Sequence, residues 1–192
     1  MADRSAPDGM TAGDRDPAAA ARRRHPVARR SAPRARQKLS TIGWREWIAL
    51  PDLGVHVIKA KIDTGARTSA LHAHHIEIVE EDGVEVVHFM VHPRQHSRKP
   101  EIRASAPLLE RRWVRSSSGE RSLRPAIVTR LRWNRRIWRI ELTLTDRDEM
   151  GFRMLLGRQA LRGHVRVDPG RSYLDRDVEG LPSGRPGRRA DA

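Results

Sequence analysis

Two short turns constrain this chain more than any other feature. Glu81-Asp82-Gly83 separates HIEIVE (75–80) from VEVVHFMV (84–91), and Asn134-Arg135-Arg136 separates AIVTRLRW (126–133) from IWRIELTLT (137–145). Asp-Gly or Asn-X between runs of alternating or β-branched residues marks an antiparallel hairpin, because these residues accept the left-handed backbone that tight two-residue turns require. In the last run Trp138, Ile140, Leu142 and Leu144 point to one side, and Arg139, Glu141 and Thr143 to the other. That period of two predicts a half-buried strand. VHVIKAKI (55–62) is a further apolar-rich strand, and FRMLLGRQALRG (152–163) places a strand before Gly157 and a short helix after it. The expectation is a mainly β domain with one short C-terminal helix.

The flanks read differently. Residues 1–38 hold ten Lys or Arg and four Asp among Ala and Pro, with almost no large apolar side chain. Such a segment cannot bury enough surface to offset its ordering entropy, so a disordered leader over 1–38, a folded domain over 39–175 and a disordered tail over 176–192 are expected. The leader reads as a solvated Arg-rich segment, and non-specific phosphate contact with nucleic acid is its other use. Residues 92–120, rich in Arg, Ser and Pro, read as a long irregular loop in which only LLERRWV could form a turn or strand. The chain of 192 residues has no cysteine, which excludes disulfides, zinc ribbons and thiol nucleophiles and fits a reducing compartment. No apolar window is long enough for a membrane helix, and the first residues carry no secretory pattern, so a cytoplasmic protein without membrane contact is expected.

The chemistry concentrates in KIDTGARTSALHA (61–73). A strand running into Asp63-Thr64-Gly65-Ala66 sets the Asp on a tight loop, where Gly65 and Ala66 keep the surroundings small. The same tripeptide can also be a turn-capping aspartate. If a second such loop faces the first, two carboxylates share one proton and act together as acid and base on a water between them. MLLGRQAL (154–161) follows much later in the chain. An early Asp-Thr-Gly-Ala followed by Leu155-Leu156-Gly157-Arg158 resembles the retropepsin-like aspartic proteases, in which the second segment packs behind the catalytic loop and begins the terminal helix.

Blocks at 43–73, 114–129, 138–161 and 167–174 resemble, more closely, a bacterial family named as ATP-dependent zinc proteases. That family has a retropepsin-like fold and includes proteins found beside glutamate ligases that modify ribosomal proteins. The resemblance implies an acid-protease β-barrel, a homodimer with Asp63 as its catalytic residue, and loop support from Thr64, Gly65, Ala66, Leu156, Gly157 and Arg158. It also implies a protein or peptide substrate and a glutamate ligase as partner. Thr64 would brace the two loops, and a segment within 92–124, with Ser116-Ser117-Ser118-Gly119 at its tip, would close over the peptide.

Neither promise of the family name is kept by the residues. No G-x-x-x-x-G-K-[ST] phosphate cradle and no H-E-x-x-H is present. The expectation is no cofactor, with a zinc hydrolase as an alternative whose ligands would come from His72, His74 and His75 or from His88, His92 and His96. Retroviral proteases supply an acid just after Asp-Thr-Gly-Ala, where this chain has Arg67 and Thr68. Arg158 is therefore expected to pair with Asp52, Glu46 or a substrate anion. Lys59, Lys61, Arg67 and Arg158 make the site basic, suiting an acidic substrate held by Lys61, Arg67 and His72. A basic adaptor that binds an acidic protein or RNA without catalysis is the rival reading. The five tryptophans are expected in the core and at its rim.

Overall fold

Strands form wherever the alternating runs occur, and also where none was expected. The structure is a computed structural model that describes residues 39–95, 97–115, 119–146 and 151–175. The expected leader and tail, His96 and the flap tip at 116–118 lie outside the described residues. The chain enters through β1 (Ser40–Gly43) and β2 (Arg45–Leu50), turns at the short 3-10 segment Pro51–Leu53, and continues into β3 (Val55–Asp63) and β4 (Ser69–His72). Next come β5 (His74–Glu81), β6 (Val84–Val91), β7 (Ile102–Arg115), β8 (Arg121–Trp133) and β9 (Arg136–Thr145). The last elements are β10 (Met154–Gly157), the helix α1 (Arg158–Leu161) and β11 (Val165–Asp168).

Both expected hairpins form with two-residue turns. Glu81 pairs with Val84 around Asp82 (φ 50°) and Gly83 (φ 78°), and Trp133 pairs with Arg136 around Asn134 (φ 46°) and Arg135 (φ 59°). Positive φ at both central positions matches the right-handed twist of the flanking strands.

The irregular loop expected over 92–120 is instead largely strand. β7 is 14 residues long and changes partner along its length: Ile102 to Pro107 pair with β6, and Leu108 to Arg115 pair with β8. Pro107 lies at that exchange, and Pro125 of β8 pairs with Arg111 of β7 just beyond the end of the β9 ladder. Ile102, Ala104, Ala106 and Leu108 do alternate inward, but alanines take the two buried places. Small side chains among Ser, Arg and Pro hide a strand period.

A closed barrel forms in the order β2-β3-β10-β4-β9-β8, returning to β2 through Ala49 opposite Arg132, while β7, β6 and β5 extend the sheet from β8. Closure removes the edges of the barrel strands, and β5 is the edge strand of the extension. Ile48, Leu50, Ile58, Leu71, Leu131 and Leu142 are fully buried inside. Each side chain of this size contributes about 1.5–3 kcal/mol on burial. The half-buried expectation is corrected at the end of β9, where Thr143 and Thr145 are buried along with Leu142 and Leu144, and the Thr143 hydroxyl donates to Ser69 O of the paired β4 at 2.9 Å.

Of the tryptophans, Trp133 and Trp138 are core, and Trp113 is 61% exposed on the β7–β8 hairpin. Glu46 is fully buried. Its carboxylate accepts the N–H of Gly43 at 2.8 Å and of Leu174 at 2.8 Å, which fastens the returning C-terminal segment to the start of β2. Burial pushes the Glu46 carboxyl above the usual glutamate range, against the lowering effect of those hydrogen bonds.

Candidate active site

Asp63 is the last residue of β3, and the loop behind it is held by the strand-to-helix junction at Gly157. β10 runs parallel to β3 with Leu155 opposite Lys61, Leu156 opposite Ile62 and Gly157 opposite Asp63. Ile62 and Leu156 are buried at 5% and 0%, so apolar packing sets the register that brings Gly157 under the loop. A Cβ at Gly157 would lie 2.4 Å from Thr68 O, so only glycine permits this approach. Ser69 Oγ accepts the Gly157 N–H at 3.2 Å.

The helix start then satisfies itself on the loop. Arg158 N–H donates to Ala66 O at 2.9 Å and Gln159 N–H to Arg67 O at 3.1 Å. The N-terminal amides that a helix leaves unpaired thus find partners in the loop, and the loop carbonyls find donors. The Arg158 guanidinium closes the set, with Nη1 donating to Thr64 O and to Gly65 O, both at 2.8 Å. This corrects the expected carboxylate partners. Asp52 accepts from Arg130 instead, through the backbone N–H at 2.8 Å and Nε at 2.7 Å, and Glu46 is committed to backbone amides. Two carbonyls replace the acid that retroviral proteases place after Ala66. A guanidinium needs acceptors rather than a charge partner.

Within the loop, Asp63 Oδ1 accepts the N–H groups of Gly65 and Ala66, each at 3.1 Å. One carboxylate oxygen is thereby fixed, while Oδ2 lies 3.8 Å from Lys61 Nζ. The Asp63 side chain is 26% exposed. Thr64, Gly65 and Arg67 are exposed along the loop.

Beside this loop the β2–β3 ladder presents a basic, aromatic strip. Arg45 stands opposite Lys61 and Trp47 opposite Lys59. The Arg45 guanidinium lies over the Trp44 ring at 4.5 Å, and Lys59 Nζ lies 5.1 Å from the Phe152 ring centre. Burial, with the Arg45 charge beside it, lowers the Lys59 pKa. His72 is 2% exposed within β4, a place that offers a substrate no surface.

The histidines proposed for zinc come together only in part: His72 and His75 lie beside His74, with ring centres 6.3 and 5.3 Å away, and His96 lies outside the described residues. His74 and His92 meet, with ring centres 4.1 Å apart, and they meet at Glu101, which no sequence motif singles out. His88 is bonded to Glu81 at 2.8 Å instead.

Residues 41–177 match the family described as RimB-like, retropepsin-like aspartic endopeptidase RimB. The chain belongs to this family. Relatives include proteins named probable alpha-L-glutamate ligase. The one from Shewanella pealeana is 46% identical over 145 residues, covering 73% of this chain and 32% of the relative. The one from Parasynechococcus marenigrum is 48% identical over 132 residues, covering 69% and 28%. The chain thus spans under a third of the length of these relatives. A solved structure of a Legionella pneumophila protein of unknown function superposes with a TM-score of 0.59 at 24% identity, over 70% of this chain and 97% of that one. That likeness is one of fold. Among the described residues no helix is long and apolar enough to cross a membrane.

Proposed function

We propose that this chain is an aspartic endopeptidase that builds its active site from two copies and cleaves acidic, glutamate-rich protein segments in the cytoplasm. The observation that carries the reading is the Asp63 loop, in which one carboxylate oxygen is tied to the amides of Gly65 and Ala66 while Gly157 and Arg158 hold the loop from behind. A carboxylate so held keeps a fixed direction, which general acid–base work on a bound water requires. The sequence contains a single Asp-Thr-Gly, so a two-carboxylate site needs a second copy. Each Asp63 would then face its counterpart, and the pair would hold one proton between them. Thr64, exposed on the loop, would brace the partner loop.

The substrate class rests on charge and on relatives. Lys61 beside Asp63, Arg45 opposite Lys61 and the exposed Arg67 favour carboxylates in the bound peptide. Relatives that carry the matching region within longer chains are named glutamate ligases, which supports a glutamate-containing substrate and a ligase as functional partner. The long β7–β8 hairpin, with its exposed Trp113 paired to Leu123, would be the arm that covers the peptide.

The test is cleavage of a peptide ending in a run of glutamates, compared with the same peptide bearing glutamines. Wild-type protein is expected to cut the glutamate form preferentially. Asp63→Asn is expected to lose cleavage by about a thousandfold or more while keeping its melting temperature. Unchanged cleavage by Asp63→Asn would overturn the aspartic mechanism. Retained glutamate-peptide binding with no cleavage by the wild type would favour the adaptor reading.

A further inference from the structure

The densest meeting of metal-ligating atoms among the described residues lies away from the Asp63 loop. His74 opens β5, His92 follows the last residue of β6, and Glu101 precedes the first residue of β7. Pairing of His74 with Met90 and of Val91 with Ile102 brings these three strand ends together. Glu101 Oε1 lies 3.2 Å from His74 Nε2 and 3.2 Å from His92 Nε2, and one ligand atom from each residue lies within 4.8 Å of the other two.

Hydrogen bonding alone accounts for each pair, with an imidazole N–H donating to the carboxylate. The convergence of two ring nitrogens on one oxygen admits more. Ligand atoms bound about 2.0–2.1 Å from a tetrahedral zinc ion stand about 3.3 Å apart, so both observed N···O separations are already those of neighbouring ligands. The ring side chains are 16% and 11% exposed, whereas Glu101 is 47% exposed. The two rings are therefore largely held away from bulk water while the carboxylate side chain stays open to it. The strand ends fix all three residues in place on folding, so little further ordering is needed on binding. Two imidazoles and one carboxylate suit zinc and its first-row neighbours, and do not suit calcium or magnesium, which prefer oxygen alone.

We propose that His74, His92 and Glu101 bind one divalent transition-metal ion, best zinc, with water as the fourth ligand. The ion fastens the ends of β5, β6 and β7. None of its ligands belongs to the Asp63 loop, so the site stands or falls independently of the peptidase reading.

The experiment uses the full chain without a histidine tag, stripped with chelator and titrated with zinc by calorimetry and with cobalt by visible absorption. One equivalent is expected to bind, with the intense cobalt bands of low coordination number and a raised melting temperature. Glu101→Gln, at an exposed position, is expected to fold normally and to bind at least tenfold more weakly, as is His74→Ala. His88→Ala and Asp63→Asn are expected to bind like the wild type. Absence of saturable uptake at 100 micromolar zinc overturns the proposal. So does uptake that Glu101→Gln and His74→Ala leave unchanged, or uptake that His88→Ala abolishes.

Discussion

Single side chains decide the Asp63 loop because its contacts leave no slack. Gly157→Ala adds one methyl group where Thr68 O stands 2.4 Å away, and the obstacle is backbone rather than a side chain that can turn aside. Overpacking of this kind is expected to cost about 1–3 kcal/mol, visible as a lower urea midpoint, and to remove cleavage along with it. Arg158 acts differently. Its guanidinium spans Thr64 O and Gly65 O from the solvent side, so Arg158→Ala releases the loop tip without opening the core. The expected result is a fall in kcat of about tenfold or more with a much smaller change in stability, and Arg158→Lys, which keeps one donor group, should fall between. An equal loss of kcat and thermal stability in Arg158→Ala would mean that the residue only holds the fold.

Elements that follow from local rules were legible in the sequence, and those that depend on distant pairing were not. The turns at Asp82-Gly83 and Asn134-Arg135 and the strand ending at Asp63 formed as the residue pattern requires. β7 was hidden because Ala104 and Ala106 fill its inward places, leaving no large apolar alternation to read. The partners of Arg158 could not be read, since they depend on the parallel pairing of Gly157 with Asp63 across nearly a hundred residues. Glu101 and Glu46 were illegible as partners for the same reason: positions 74, 92 and 101 form no spacing motif, and a buried glutamate looks like any other until its neighbours are known. Glu46 offers a test at this scale. Its folded pKa lies above the ordinary 4.5, so between those two values the folded state holds a proton that the unfolded state has released. Glu46 therefore costs stability as pH rises from about 4.5 through its folded value, whereas Glu46→Gln does not titrate. The melting-temperature advantage of wild type over Glu46→Gln is expected to shrink as pH rises through that window, and an advantage that grew with pH would contradict it.

At the scale of the whole molecule, the proposed mechanism demands two copies of a chain whose formal charge is +14. Like-charged subunits repel, and that repulsion is screened as salt is added, with a Debye length near 10 Å at 0.1 M. Attraction of an acidic peptide to the Lys61 and Arg67 region is screened in the same way. The two effects oppose each other in activity: salt strengthens the dimer and weakens substrate binding. At low protein concentration, cleavage of the glutamate peptide is therefore expected to rise with salt and then fall. At high protein concentration, where dimer is already saturated, only the fall should remain. Sedimentation measured alongside should show association increasing over the rising limb. Mixing gives an independent check. When Asp63→Asn replaces half of the wild-type protein and subunits exchange freely, only wild-type pairs keep both carboxylates. Activity should then drop to about a quarter rather than to half. A drop to half, together with activity linear in protein concentration down to the lowest measurable level, would place the catalytic centre within one chain and remove the need for a partner.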